Sequence, residues 1–93
     1  MTILVDRPRW PAHGTHFAHL ASDGSLDELH GFVTSLALAR PLRFHGDHYD
    51  VPLWAWDHVI DRGAQLVSTR ELVRALRAGG LRARGRQERP ALQ

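Results

Sequence analysis

Apolar positions along the chain fall into short blocks with different periods. Residues 2–5 (Thr-Ile-Leu-Val) form an apolar, β-branched run closed by Asp6, which predicts a short buried strand. Arg7-Pro8-Arg9-Trp10-Pro11 follows. Its two prolines argue against a regular ladder and predict an ordered loop anchored by Trp10. Residues 16–21 predict a second strand, with Phe17, His19 and Ala21 on one face and His16, Ala18 and Leu20 on the other. Ser25-Leu26-Asp27-Glu28 has the form of a capping box, opening a helix to about Leu38. Leu26, Leu29, Phe32, Val33 and Leu36 share one arc of that helix at about 100° per residue. Arg40-Pro41 ends it, because a residue before proline avoids helical geometry.

Residues 42–50 read as an extended segment. Pro52 suits the first turn of a helix over about 52–62, which stops at Gly63. Trp54 and Trp56 stand about 200° apart on it, so they cannot both face one core; one is free for a cleft or a dimer contact. Residues 64–67 predict a short buried strand. Ser68-Thr69-Arg70-Glu71 is a second capping box, opening a helix to about Ala78, before Gly79-Gly80. Residues 82–93 lack a periodic apolar face and predict a mobile, Arg-rich tail after a single domain over 1–81. The alternation of strands and helices predicts an α/β layer fold with a small, partly parallel sheet and about three helices.

Composition adds two facts. The chain has 93 residues, 43% hydrophobic and 24% charged, the balance of a small soluble domain. No run of 18 apolar residues predicts a membrane span, and no signal-peptide pattern opens the chain, so a cytoplasmic address is expected. All twelve basic residues are arginine, a usage that GC-rich coding alone produces. Their placement says more. Residues 1–61 carry four Arg and eight acids, net −4; residues 62–93 carry eight Arg and two acids, net +6. A basic C-terminal third suits an anionic partner, or a solvated helix face. The absence of cysteine excludes disulfides and thiolate zinc sites.

Seven histidines are the densest chemistry, six of them between His13 and His48. Phe44-His45-Gly46-Asp47-His48-Tyr49-Asp50 alternates imidazole with carboxylate, the side chains that bind divalent metals and move protons near neutral pH. On an extended segment His48 and Asp50 share a side, where the carboxylate can orient the imidazole; His45 and Asp47 point away, toward solvent. Asp50 also sits where it could cap the following helix. Asp6 ends the first strand and has the place of a metal ligand, a general base or a turn residue. If the first and last strands are parallel neighbours, Asp6 and Ser68 lie on one edge of the sheet. The amides near Ser68, Thr69 and Arg70 would then favour an anion. His19 is the best placed of the His13/His16/His19 series. His30 borders its helix's apolar arc, and His58 is expected at the surface. Arg70, Arg74 and Arg77 share one helix face. No phosphate loop, nucleophile elbow or HExxH pair is present.

Five stretches carry a resemblance. They are Val-Asp-Arg-Pro-Arg-Trp-Pro (5–11), His-Leu-Ala-Ser-Asp (19–23), Leu-Asp-Glu-Leu-His (26–30), Gly-Asp-His-Tyr-Asp-Val-Pro (46–52) and Gly-Ala-Gln-Leu-Val-Ser-Thr-Arg-Glu-Leu (63–72). Over about residues 3–82 the chain resembles the bacterial and phage domain-of-unknown-function 4031 family. The resemblance supplies no reaction. It implies a stand-alone unit and draws attention to Asp6, Arg9, Trp10, His19, Glu28, His30, His48, Tyr49 and Asp50. Three expectations result. The first is a hydrolase for a phosphorylated small molecule or nucleic acid, with Asp6, His48 and Asp50 catalytic. In it, His19, His48 and Asp50 hold a divalent metal ion, and Ser68, Thr69 and Arg70 hold an anion. The second is a non-catalytic module that contacts nucleic acid or an acidic partner through the Arg-rich third. The third is a homo-oligomer with an exposed Trp at the contact.

Overall fold

The computed structural model describes residues 2–80. Its elements are β1 (Ile3–Val5), β2 (Trp10–Ala12), β3 (Thr15–Ser22), α1 (Leu26–Ser35), β4 (Arg43–Phe44), β5 (Tyr49–Pro52), α2 (Leu53–Asp61), β6 (Gln65–Leu66) and α3 (Thr69–Ala78). The tail expected at 82–93 lies outside the described residues. The strands form one mixed sheet in the order β4-β5-β3-β1-β6, with β2 beside the first residues of β3. Among the described residues only β1 and β6 pair in parallel; the other pairings are antiparallel. The fold is α/β.

Strand alternation divides the apolar residues between two layers. Ile3, Val5, Ala18, Leu20 and Val51 join Leu29 and Leu36 at the end of α1 and Ala55 and Val59 of α2 in the main core. Leu4 and Ala21 face the other way and bury Leu72 and Leu76 of α3. The sheet is thus covered by two helices on one face and by one on the other. Because α3 packs over β1 and the end of β3, the rest of that face stays open, and the chemistry collects there.

Several local expectations are corrected. Residues 10–12 form a strand, not a loop. Pro11 is accommodated because β2 is an exposed edge whose ladder it scarcely interrupts. A two-residue turn at His13-Gly14, both with positive φ, joins β2 to β3. That is the turn whose twist suits a hairpin, and a histidine tolerates the left-handed region better than a branched residue. The first helix stops at Ser35, where Leu36 caps it and Ala37 turns left-handed (φ 52°), before the Arg40-Pro41 signal acts. Its capping box is half formed. Ser25 Oγ accepts the Glu28 amide at 3.1 Å, but the Glu28 carboxylate instead accepts the Ser22 hydroxyl at 2.6 Å. Pro52 ends β5 and serves as N-cap of α2 rather than lying inside its first turn. β6 is an exposed edge strand rather than a buried one. Around Ser68 the box is complete.

Candidate active site

The parallel pairing of β1 with β6 decides the geometry. Val5 lies beside Leu66, and the Val67 amide donates to the Val5 carbonyl at 2.9 Å, so both strands end at one edge. Asp6 and Thr69 meet there. Asp6 is 1% exposed, yet every described contact of its carboxylate is a hydrogen bond. Its Oδ1 accepts the His19 amide at 2.6 Å. Its Oδ2 accepts the Thr69 hydroxyl at 2.6 Å and faces His19 Nδ1 at 2.8 Å. The Trp56 indole donates to the Asp6 carbonyl at 2.8 Å, fixing the backbone as well. Burial pushes the Asp6 carboxyl upward. Hydrogen bonds from the His19 imidazole, the Thr69 hydroxyl and the His19 amide, with the charge of His19, outweigh it and hold the pKa below the ordinary value.

A carboxylate only accepts, so this network assigns the Nδ1 proton of His19 to the bond with Asp6. In the neutral ring Nε2 is then the accepting nitrogen. His19 lines a cleft of about 710 Å³ with Trp10, Phe17, Arg43, Asp50 and Trp54. The register explains the company: Trp10, Phe17 and Pro52 form one cross-strand row, and His19, Asp50 and Arg43 the next. Trp10 meets the His19 ring edge-on at 5.3 Å. Arg40 also lines the cleft, its guanidinium 4.6 Å from the centre of the Trp54 ring.

The His/Asp run is a turn, not a uniformly extended segment. Gly46 has φ 71°, and the His45 amide donates to the His48 carbonyl at 2.8 Å, reversing the chain between β4 and β5. The turn gathers side chains that simple alternation would separate. Asp47 is largely buried and lies 2.6 Å from His48 Nδ1. His45 Nε2 lies 2.8 Å from Asp50 Oδ2, and His48 Nε2 3.5 Å from Asp50 Oδ1. His45 and Asp47 therefore face the cluster, contrary to the extended-segment reading. The His48 ring also stands 5.2 Å from that of His19.

The expected ligand set His19, His48 and Asp50 thus shares one face. Among the described residues, however, no group of three His, Cys, Asp or Glu side chains is placed to hold a metal ion. The expected anion seat is engaged by the chain itself. Ser68 Oγ accepts the Glu71 amide, the Glu71 carboxylate accepts the Ser68 amide at 3.0 Å, and Thr69 serves Asp6. Those Ser68 hydrogen bonds hold the Glu71 carboxyl below its usual range. Arg70 is exposed. His30 and Tyr49 bond each other at 2.7 Å beside Phe44, on the α1 side of the sheet and away from His19. Arg9 is exposed on the loop after Asp6, near Ser68 and Arg70. His58 is also exposed, its ring 3.1 Å from the Leu36 carbonyl. Sequence reasoning missed Arg40 and Arg43 as cleft residues. A hairpin placed at Gly46 would have set Arg43 opposite Asp50.

The profile of the family described as "Protein of unknown function (DUF4031)" matches residues 3–79. The chain belongs to the DUF4031 family. No curated protein and no solved structure matches it. The matched span covers every element of this DUF4031 domain, from β1 to α3. No helix among the described residues is long and apolar enough to cross a membrane.

Proposed function

We propose that this DUF4031 domain is a cytoplasmic hydrolase of phosphate esters in which His19 is the general base. The observation that carries the reading is the buried Asp6 carboxylate on Nδ1 of His19, a residue that lines the cleft. A carboxylate fixed behind an imidazole holds its tautomer and stabilises the imidazolium that forms on proton uptake. A water in the cleft would give its proton to His19 Nε2 as its oxygen bonds to phosphorus. The ester P–O bond breaks, and the leaving oxygen takes a proton from an imidazolium of His45 or His48, whose Nε2 atoms stand 2.8 and 3.5 Å from the Asp50 carboxylate that holds them. Arg43 and Arg40 supply the charge that a phosphoryl group requires. Asp6 touches no substrate on this reading; it is a positioning residue.

The test is hydrolysis of chromogenic phosphomonoesters and phosphodiesters by the full chain, with and without chelator, beside Asp50→Asn and His48→Ala. Turnover that falls in both variants supports the reading. If chelation abolishes turnover and elemental mass spectrometry finds a near-stoichiometric metal lost in the His48→Ala/Asp50→Ala double variant, a divalent ion shares the site. Turnover indifferent to both substitutions would refute the assigned relay.

A further inference from the structure

Asp6, buried beneath the surface, bonds His19 of the cleft and Thr69, and Thr69 lines a hollow that holds Arg7, Arg9 and Arg70. Thr69 and Arg70 in turn line a second hollow with Arg74 and Arg77. All five arginines are exposed. Among the described residues, the one carboxylate in these two hollows, Glu71, is held by the Ser68 amide at 3.0 Å. In the cleft stand Trp10 and Trp54, 46% and 48% exposed. Phe17, the cross-strand partner of Trp10, also lines the cleft. The chain carries net charge +2, so a track of five arginines is a local concentration of charge rather than its average.

We infer that this surface takes a single-stranded nucleic acid, with a base on the Trp10/Trp54 platform and the flanking phosphates along Arg7, Arg9, Arg70, Arg74 and Arg77. The inference deepens the preceding reading, whose cleft it takes as the reacting end of the track. Two features together favour a strand. Exposed aromatic faces stack bases without regard to sequence, and a row of cations follows a phosphate backbone. A mononucleotide would use the cleft and leave the α3 arginines without a role. A duplex keeps its bases stacked inside, away from the tryptophans.

The experiment is fluorescence anisotropy of a fluorescein-labelled 12-mer of deoxythymidylate with the full chain, titrated across salt concentrations. With all five arginines engaged, the plot of log affinity against log salt should slope at about −3.5, about −0.7 per phosphate contact. The triple variant Arg70→Gln/Arg74→Gln/Arg77→Gln should bind more weakly and slope at about −1.4. Trp54→Ala should cost roughly 5- to 100-fold in affinity, the loss of one stacked base. Thermal melting of each variant checks that it is folded. No binding at low salt, an unchanged slope in the triple variant, or equal competition by thymidine monophosphate would each overturn the inference. Ester hydrolysis without oligonucleotide binding would sink the strand and leave the hydrolase reading standing. Oligonucleotide binding that responds to the arginines and Trp54, without hydrolysis of any ester, would uphold the strand surface and sink the hydrolase.

Discussion

Replacing Asp6 by Asn keeps the side chain's shape and reverses the hydrogen-bond logic of one atom. Oδ1 can still accept the His19 amide. The atom at the Oδ2 position becomes an amide nitrogen, which donates to a site where the Thr69 hydroxyl and His19 Nδ1 both donate. Thr69 must turn its hydroxyl round, and His19 must move its proton to Nε2. Each hydrogen bond to a charged partner contributes about 1.5–3 kcal/mol, and two are compromised. A neutral amide is cheaper to bury than a carboxylate, which offsets part of the loss. The net destabilisation is therefore about 2 kcal/mol. For a domain of this size that lowers Tm by about 8–16 °C, measured by circular dichroism. Long-range nitrogen–proton NMR reads the second consequence. The neutral His19 ring should carry its proton on Nδ1 in the wild type and on Nε2 in Asp6→Asn. The variant should then lose hydrolysis, because Nε2 no longer accepts. An unchanged tautomer with a Tm within about 2 °C of wild type would refute the assigned network.

Three further outcomes follow from the same contacts. The hydrogen bonds from His19 and Thr69 hold the Asp6 carboxyl below the ordinary carboxylate range. Its contribution to stability is thus complete above the unfolded-state value and is lost as pH falls through the lower folded value. Acid titration of Tm should accordingly show the advantage of wild type over Asp6→Asn shrinking below about pH 4; a constant difference would argue against it. Gly79→Ala should destabilise by about 1–3 kcal/mol in urea unfolding, because a Cβ there would stand 2.8 Å from the Asp23 carbonyl oxygen, a backbone atom; a neutral result would mean that the loop yields freely. Trp56→Phe keeps an aromatic ring but deprives the Asp6 carbonyl of its indole donor, and should cost about 1–3 kcal/mol by the same assay; an unchanged stability would mean that another donor replaces it.

Period and capping made the helices and layers legible. The Leu29-Phe32-Val33-Leu36 arc packs as its spacing requires, and the Ser68–Glu71 box forms in full. The parallel relation of β1 and β6 was an inference from element order, and it is what brings Asp6 to Thr69. Turns were the weak point. His13-Gly14 carries no Asn or Asp to mark it, so the β2–β3 hairpin behind Pro11 went unread. Gly46 reversed the His/Asp run, which placed Asp47 against His48 and His45 against Asp50. A period-of-two argument cannot anticipate that, since it presumes that the backbone stays extended. The helix position of Thr69 predicts an anion donor. Its tertiary neighbour Asp6, 63 residues away in sequence, claims the hydroxyl instead.

The most direct test of the account is the turnover of bis(p-nitrophenyl) phosphate by wild type and by His19→Gln, two proteins first matched for fold by their amide spectra. Loss of the general base should lower kcat/KM by roughly 100- to 10,000-fold with Asp6 still in place. Equal turnover in the two proteins, or no turnover in the wild type, would contradict the claim that His19, oriented by Asp6, is the general base.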